Sequence, residues 1–307
     1  MAPSAATITM TIEPLARADL AEARALLAAA CRFDRAAEVA DEKLFGAAPA
    51  GDAATWAARA GGAMVGIAAV TGDRLRLLAV APEARGRGVV GGRLLEQARA
   101  HAGASGEVRL RTLDLAGNYL APGVDARDVD SLRWLERRGF VRKVVHENLL
   151  IDLRANRRVG ADHAAALAAA ATARGYQLRR ARADEPGLTD AIAAGFGGAW
   201  PFEVARALTF SPPGVHVAIA ADGTLAAFAA HDGNNQGLGW FGPAGTWPAH
   251  RGQGLGEALL AACLVDVAAH HDVCEVAWIG PRAFYEKAAG IAGERRFIVL
   301  AKDLRQP

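Results

Sequence analysis

The sequence is poor in cysteine and in net charge, and it has no long apolar run. Its three cysteines are an odd number without a CxxC pair, so neither a disulfide framework nor a paired-cysteine zinc site is expected. Basic and acidic residues nearly balance, 35 against 33, which excludes a general electrostatic attraction to nucleic acid or an anionic membrane. No run approaches the roughly 20 apolar residues that cross a bilayer, and the first ten residues lack the pattern of a secretory signal. These absences favour a soluble, cytoplasmic protein that binds its ligands locally.

What is present is an ordinary globular composition, 52% apolar and 22% charged, over 307 residues. At roughly 150 residues per domain, this length favours two domains. His270 and His271 have no carboxylate or cysteine at metal-ligand spacing, so no metal is expected.

An internal repeat supports the two-domain interpretation. The segment RGRGVVGGRLL at 85–95 resembles RGQGLGEALL at 251–260, an offset of 166 residues, and WLERRGF at 134–140 resembles FYEKAAG at 284–290, an offset of 150. Each half also closes with an apolar segment that ends in Asp-Leu, at 152–153 and at 303–304. Landmarks in the same order predict a tandem duplication, with domains at 1–155 and 156–307.

Both halves show the same alternation of strand and helix patterns, which predicts a mixed α+β domain in each. In the second half, apolar residues recur on one face from Gly256 to Ala269, as expected of an amphipathic helix. The glycine motif RGQGLG at 251–256 lies between the predicted fourth strand, 238–246, and this helix. A second predicted helix begins at Pro281, because proline suits the first turn of a helix.

This glycine motif has the composition of an anion-binding turn. Backbone N–H groups converge at the start of a helix, and Gly252, Gly254 and Gly256 would let that backbone approach a diphosphate closely. Arg251 adds a permanent positive charge. The motif lacks the GK[ST] of a nucleotide P-loop and follows the fourth strand of its unit rather than the first, so another diphosphate carrier is predicted.

With these residues the sequence resembles the GNAT acyltransferases, whose acyl-CoA motif is Gln or Arg, two residues, Gly, one residue, then Gly or Ala. Arg251, Gly254 and Gly256 meet this pattern. The family's helix with an aromatic pair before a glycine is matched by Phe284, Tyr285 and Gly290. Because the likeness covers both halves, about nine-tenths of the chain, the sequence is similar to the tandem members of the family.

The resemblance implies two tandem GNAT-like domains, each a mostly antiparallel splayed sheet flanked by helices, with acetyl-CoA as acyl donor. It implies that the pantetheine arm lies along the fourth strand, where a main-chain N–H near Thr246 or Trp247 polarises the thioester carbonyl. It also implies that Tyr285 is the general acid, although a half-buried helix tyrosine on its own indicates only packing. The cofactor-binding residues expected in the second half are Gly245, Thr246, Trp247, Arg251, Gly252, Gln253, Gly254, Leu255 and Gly256.

The first half departs from the family pattern at two places. Leu135 aligns with Tyr285 and has no proton to donate. Val90 either replaces the last glycine of the motif or marks an inserted residue before Gly91, and either change is expected to crowd the diphosphate site. The second half is therefore predicted to be the catalytic one, and the first a degenerate scaffold whose weaker candidates for binding CoA are Arg85, Gly86 and Gly88.

Three residues after the first helix of the second half are candidates for the acceptor site: Trp200, Phe202 and Glu203. An acid there would bind a cationic amine, although a hydrophobic cap with one solvated charge explains the same residues. The loop that contains His231, Asp232, Asn234 and Asn235 indicates either a proton relay or a polar turn. The predicted fourth strand contains no acid, so the general base is unassigned, and the polar loop 118–128 of the first half is an insertion with gating or pairing as alternatives.

The function predicted from these residues is acetyl transfer from acetyl-CoA to the amine of a small-molecule acceptor by direct attack. One alternative is a non-catalytic acyl-CoA sensor or scaffold. Another is aminoacyl transfer from charged tRNA, which the balanced charge disfavours. The sequence does not indicate the acceptor or the oligomeric state.

Overall fold

Mostly antiparallel strands flanked by helices make up each part of the computed structural model, which describes residues 10–86 and 88–306. Arg87, in the first glycine motif, lies outside the described residues. The predicted α+β class, with mostly antiparallel strands and flanking helices, is confirmed. The chain packs as two units, of which the first extends to Val145 and resumes at Ile298, and the second is His146–Phe297.

The first unit begins with a five-stranded sheet in the order of the sequence. Strands β1 to β4 pair antiparallel, whereas β4 and β5 run parallel and pair only at Arg74–Arg111 and Leu75–Thr112. In chain order its elements are β1 (Met10–Pro14), α1 (Leu20–Ala30), α2 (Ala40–Phe45), β2 (Ala54–Ala60), β3 (Ala63–Thr71), β4 (Arg74–Val80), α3 (Val89–Ala104), β5 (Arg109–Thr112), the short β6 (Val124–Asp125), α4 (Val129–Glu136) and β7 (Val141–Asp152), which continues into the second unit.

The second unit repeats this order. Strands β8 to β11 pair antiparallel, and β11 pairs parallel with β12 only at Trp240–Glu275 and Phe241–Val276. Its elements are α5 (Ala161–Thr172), β8 (Gln177–Arg180), α6 (Leu188–Gly195), α7 (Trp200–Leu208), β9 (Val215–Ile219), β10 (Leu225–His231), β11 (Trp240–Thr246), α8 (Leu255–Ala268), β12 (Val273–Val276), α9 (Arg282–Ala288) and β13 (Gly293–Asp303), which continues into the first unit.

Each unit completes its sheet with the last strand of the other repeat. The end of β7 pairs antiparallel with β12 of the second unit, and the end of β13 pairs antiparallel with β5 of the first. The bonds that follow are equivalent, because Leu153 N–H donates to Asp272 O and Leu304 N–H donates to Val108 O, both at 2.9 Å. The compact units therefore exchange their final strands, and the boundary near residue 155 stays a prediction of where the sequence begins to repeat.

Helix α8 shows how the apolar pattern produces the second core. Leu255, Leu259, Cys263 and Val267 are buried and pack in a cluster with α5, α9 and one face of the sheet. A second cluster, on α6, α7 and the strands, includes Val204 and Phe228. The first unit has an equivalent core on α3 and α4, which includes Ile298 and Leu300 of β13.

The polar loop that the sequence left open as a gate or an insertion is packed into the first unit. Asn118 is fully buried, donates to the main-chain oxygens of Glu42 and Ala47, and accepts from Lys43 Nζ at 2.9 Å. Every residue from 117 to 125 is buried. This loop is therefore a structural insertion rather than an exposed gate.

Candidate functional site

A wedge opens in the second unit where β11 and β12 diverge. The strands pair at two positions only, after which Gly242–Thr246 has no partner on the β12 side among the described pairings. We call this gap the second wedge. An extended chain can add to an unpaired strand edge by main-chain hydrogen bonds, so β11 offers the edge that the sequence predicted for a pantetheine arm.

The two main-chain donors predicted on this edge are not equivalent. Trp247 N–H donates to Ala226 O of the β10 side at 3.0 Å, so it is unavailable to a thioester carbonyl. Successive N–H groups of a strand point to opposite edges, and the N–H of Thr246 therefore faces the wedge. Of the two predicted donors, only the Thr246 N–H remains a candidate for polarising the thioester carbonyl.

The Trp247 side chain instead joins an aromatic cluster. Its ring centroid lies 5.0 Å from Phe196 and 5.8 Å from Phe228, and the Trp200 ring stacks on Phe196. Gly245 lies beneath this cluster, where a Cβ would come within 2.6 Å of the Phe196 ring. The cofactor candidates of β11 and the acceptor candidate Trp200 thus meet across the Phe196 ring.

The other two acceptor candidates lie apart from this cluster. Phe202 packs beneath the Arg206 guanidinium at 5.9 Å. Glu203 is buried at 7% exposure, and its main-chain oxygen lies 2.6 Å from where a Cβ on Gly233 would be. The structure brings Trp200 to the end of β11 and leaves Phe202 and Glu203 with these other partners.

The glycine loop Arg251–Gly256 joins β11 to α8 through a short 3-10 turn, Pro248–His250. Gly252 and Gly254 have φ of 77° and 75°, a left-handed conformation that other residues adopt only with strain, and Gly254 is the N-cap of α8. The first N–H groups of a helix have no partner within it, and together with the helix dipole they favour an anion. This geometry suits a diphosphate.

The side chains of the loop support this arrangement in different ways. Arg251 Nε donates to Thr246 O at 3.3 Å, which ties the loop back to the strand end. Leu255 is buried in the core, so only its main chain faces the loop, whereas Gln253 is partly exposed. A Cβ on Gly256 would lie 3.5 Å from the Phe284 ring, so a glycine here allows α8 and α9 to pack closely.

Sequence analysis missed a cation at this loop. The Nη2 atom of Arg174 lies 3.2 Å from where a Cβ on Gly254 would be. Arg174 follows α5, and its guanidinium forms no ion pair with a described residue. It adds a second positive charge beside the N-terminus of α8. No sequence signal connects Arg174 to the loop, because it lies outside the motif and only folding brings the two together.

Asn148 is a second residue that sequence analysis missed. This fully buried side chain, on β7, accepts a hydrogen bond from Trp278 N–H at 2.8 Å and donates to Glu275 Oε1 at 2.5 Å. Trp278 has a φ of 49° and lies just past the last paired residue of β12. Such a φ is a strained outlier for a bulky residue. The exchanged strand therefore fixes the backbone of one wall of the second wedge.

Tyr285 lies on α9 between the loop and the wedge. Its ring is 5.0 Å from Phe284, which packs on Gly256, and 6.2 Å from Phe241, the last residue of β11 that pairs with β12. Burial raises the pKa of Tyr285 to about 12, so its hydroxyl stays protonated at neutral pH and can donate but not accept a proton.

The His231 loop is a buried ion cluster. Asp266 of α8 accepts from His216 at 2.7 Å, from His231 at 3.3 Å and from Arg180 at 2.6 Å, and His231 also bonds Asp232 at 2.8 Å. Burial alone would lower the pKa of His231, but hydrogen bonds with Asp232 and Asp266 outweigh it and raise this pKa to about 9. A protonated, paired histidine cannot act as a base at neutral pH. These contacts therefore favour a structural polar turn over a proton relay.

The weaker candidates of the first half occupy the same backbone positions. Arg85 Nε donates to Val80 O at 2.9 Å, as Arg251 does to Thr246 O, and Gly88 is the N-cap of α3 with a φ of 67°. Gly86 also has a left-handed φ, of 94°. These residues line a cavity of about 760 Å³ in the first unit.

The described part of the chain has neither a cluster of metal-binding side chains nor a membrane-spanning helix. No group of three or more His, Cys, Asp or Glu side chains among residues 10–86 and 88–306 is arranged to hold a metal ion. Within the same ranges, no helix has the length and apolarity to span a membrane.

The family comparison matches the part of the chain that contains the glycine loop and α9. Residues 186–291 match the acetyltransferase (GNAT) family model. No curated protein matches the chain significantly.

Three solved structures with related folds cover nearly the whole chain. A GCN5-related glucosamine N-acetyltransferase region of a fungal multi-domain GH3 β-N-acetylglucosaminidase has a TM-score of 0.73 at 18% identity, covering 97% of this chain and 38% of that one. A tandem GNAT protein from the clavulanic acid biosynthesis pathway scores 0.69 at 21% identity, covering 96% and 99%. A GCN5-related N-acetyltransferase from Sphaerobacter thermophilus scores 0.66 at 18% identity, covering 96% of each chain. At these identities the likeness shows the fold.

Proposed function

We propose that the second unit, whose residues 186–291 match the acetyltransferase (GNAT) family model, transfers an acetyl group from acetyl-CoA to the amine of a small molecule. The observation that carries this proposal is the position of the Phe284–Tyr285 pair. Phe284 packs on Gly256 of the glycine loop, and Tyr285 packs on Phe241 where the wedge opens. A diphosphate on the loop and a thioester in the wedge would therefore both lie beside α9.

The residues of this unit account for the main demands of the reaction. A neutral amine attacks the thioester carbonyl carbon, and the C–N bond forms as the carbonyl oxygen takes on negative charge. The N–H of Thr246 faces that oxygen from the edge of β11 and stabilises the charge. When the C–S bond breaks, the Tyr285 hydroxyl donates its proton to the leaving thiolate.

The proton that the amine loses passes to water in this proposal. Strand β11 contains no carboxylate, and His231 is held protonated between Asp232 and Asp266. The acceptor therefore arrives as the neutral amine, and the rate should rise with pH until the free amine of the acceptor is fully deprotonated. Tyr285, whose pKa is about 12, imposes no loss of rate below about pH 10.

The decisive experiment measures thiol release from acetyl-CoA over a panel of amines. The panel includes glucosamine, because one structural neighbour is described as a glucosamine N-acetyltransferase region. We expect Tyr285→Phe to lower kcat about a hundredfold while the dissociation constant for CoA stays within about twofold, since general acid catalysis contributes 10²–10⁴-fold. Tyr119→Phe makes the same chemical change in the first unit and should leave kcat unchanged.

A wild-type rate in Tyr285→Phe at every pH would show that Tyr285 is not the acid. Tight CoA binding without thiol release from any amine would favour the second candidate, a non-catalytic acyl-CoA sensor or scaffold. Leu135, which stands in the first unit where Tyr285 stands in the second, is the observation that keeps this candidate open.

A further inference from the structure

Strand β12 loses its regular partners on both sides at one residue. Val276 pairs with Phe241 of β11 and lies opposite Leu149 of β7, and it is the last residue of β12 with either pairing. The chain then continues through residues 277–281 to the start of α9. This segment forms the β12 side of the second wedge, and we call it the wedge wall.

A β-bulge joins the wedge wall to β7. The bond from Leu153 N–H to Asp272 O fixes which residues of β7 bond with the β12 side, because bonded pairs alternate along an antiparallel ladder. By that alternation, Trp278 N–H would donate to Glu147 O. Instead the next residue, Ile279, donates to this oxygen at 3.1 Å, so the β12 side has one residue more than β7. An extra residue of this kind bends its strand, and the bend falls where β12 leaves β11.

Trp278 is the extra residue, and its backbone is strained. Its φ of 49° lies in the left-handed region, where a bulge normally has glycine. A bulky residue keeps such a conformation only where its surroundings hold it there. The Trp278 N–H, which the bulge removes from the main-chain ladder, donates to Asn148 Oδ1 at 2.8 Å. A side-chain oxygen of β7 thus replaces the main-chain acceptor.

The hydrogen bonds of Asn148 fix the orientation of its amide. Its Nδ2 donates to Glu275 Oε1 at 2.5 Å, and an ionised carboxylate accepts but does not donate, so Oδ1 is the atom that faces Trp278. Arg295 pairs with Glu275 at 3.1 Å and holds it in turn. Because Asn148 is fully buried, losing its amide would leave the Trp278 N–H without this acceptor.

The first unit has a different residue at the equivalent position. By strand register, Val299 of β13 stands where Asn148 stands on β7, and a valine side chain accepts no hydrogen bond. The residue after β5, Leu113, is also left-handed, with a φ of 64°, but its N–H donates to Leu75 O of β4 at 2.9 Å. A main-chain bond therefore keeps the chain after β5 on β4, whereas a side chain turns the chain after β12 toward β7.

We propose that Asn148 is a positioning residue for acetyl transfer, which holds the bulge at Trp278 and so sets the opening of the second wedge. This inference rests on the proposed function and adds to it a residue outside the glycine loop and α9. Helix α9 begins at Arg282, four residues after Trp278, so a shift of the wedge wall moves Tyr285 as well. Because β7 closes the first repeat of the sequence, the first repeat supplies a residue to the site of the second.

The test is a double-mutant cycle in the thiol-release assay. We expect Asn148→Ala to lower kcat at least about tenfold and to change KM for acetyl-CoA less than about threefold, because a misplaced donor costs rate more than binding. Glycine adopts the left-handed conformation without strain, so in a Trp278→Gly background Asn148→Ala should lower kcat less than about threefold. Asn118→Ala removes an equally buried asparagine from the core of the first unit and should leave kcat within about twofold.

A reversed pair gives a second variant that keeps both hydrogen bonds. Asn148→Asp alone places two carboxylates in contact and should lose rate as Asn148→Ala does. Combined with Glu275→Gln, the new carboxylate accepts from Trp278 N–H and from the new amide, so kcat should return to within about threefold of the wild type.

Hydrogen exchange measures the same role without turnover. Asn148→Ala should speed amide exchange in segment 277–285 and leave segment 225–231 of β10 unchanged. Equal losses of kcat in both backgrounds, or a folded reversed pair that does not recover, would overturn the positioning role and leave the proposed function standing. No thiol release from any amine in the wild type would overturn the proposed function itself, and exchange in segment 277–285 would still decide whether Asn148 holds the wedge wall.

Discussion

The two glycine loops have the same arginine hydrogen bond and the same glycine cap, and they differ in the side chains around them. In both, an arginine returns to the carbonyl of the strand end, and a left-handed glycine caps the following helix. Around the first loop the aligned helix contributes Arg137, Arg138 and Leu135, whereas around the second it contributes Lys287, Ala288 and Tyr285. Duplication thus kept the left-handed glycine cap in both units and the proposed proton donor, Tyr285, in one. In the proposed function, cofactor binding and turnover depend on different groups, so the two repeats can differ in one and not the other.

The exchanged final strands give the largest expected difference between the two units, which is a loss of stability. Leu300 belongs to the second repeat but is fully buried in the first core, and Ile151 belongs to the first repeat but is fully buried in the second. We expect Leu300→Ala to destabilise the first unit, and Ile151→Ala the second, each by about 2–5 kcal/mol. Hydrogen exchange in segments 63–80 and 225–246 measures this.

The matched control for these two variants is Val145→Ala, at an exposed valine of β7, which should change either unit by less than about 0.5 kcal/mol. If each alanine variant loosened the unit of its own repeat, the exchanged topology would be wrong.

The ion cluster on Asp266 distinguishes the units by pH, since His101 stands opposite Asp266 when the two helices are aligned on Gly91 and Gly256, the glycines that face an aromatic ring. His231 has a pKa of about 9 in the folded protein against 6.5 unperturbed. A raised folded pKa means that its stabilisation is complete below about pH 6.5 and is lost as pH rises through 9. The free energy of unfolding should therefore fall by up to about 3 kcal/mol across this range. Urea denaturation should show that His231→Gln removes this part of the pH dependence.

Gly254→Val should separate the second loop from the first. Valine at a φ of 75° is strained, and its Cβ would lie 3.2 Å from Arg174 Nη2, so this side chain must shift by a few tenths of an ångström. We expect turnover to fall at least about a hundredfold, roughly 2.7 kcal/mol. Gly223→Val imposes the same strain, at a φ of 86° in the turn between β9 and β10, and should leave turnover intact. Equal losses in both variants would attribute the effect to folding rather than to the loop.

The smallest expected effect concerns Arg174, the arginine beside the second glycine loop. Arg174 lies beside Gly254 of the second loop as Arg138 lies beside Gly88 of the first, but Arg174 is exposed, so any attraction it exerts on an anion is screened by solvent. Arg174→Ala should raise the dissociation constant of CoA at the second unit about fivefold, within the range of about 1 kcal/mol for exposed pairs. Arg182→Ala, another exposed arginine of the same unit, should have no effect in the same titration. A larger effect at low salt would support a phosphate contact.

Local patterns predicted the parts of this structure that depend on neighbours in the chain. The repeat, the helix after Trp247 and the glycine caps follow from periodicity and from the conformations open to glycine. Arg174 and Asn148 could not be predicted, because each reaches the site from a distant part of the chain. Whether the Trp247 N–H points to β10 or to the wedge depends on the strand register. The sequence does not fix that register to within one residue. The exchanged strands were also unpredictable, since two repeats with the same apolar ending fit the same sheet edges.

The exchange of final strands also determines when the first unit can complete its sheet during translation. Domains generally fold as units while the chain emerges from the ribosome, but β5 of the first unit pairs with residues 301–303. Its open edge must therefore wait until most of the second repeat has been translated. An unpaired edge strand invites pairing with other chains, so nascent copies on one messenger RNA are exposed to mispairing for that interval.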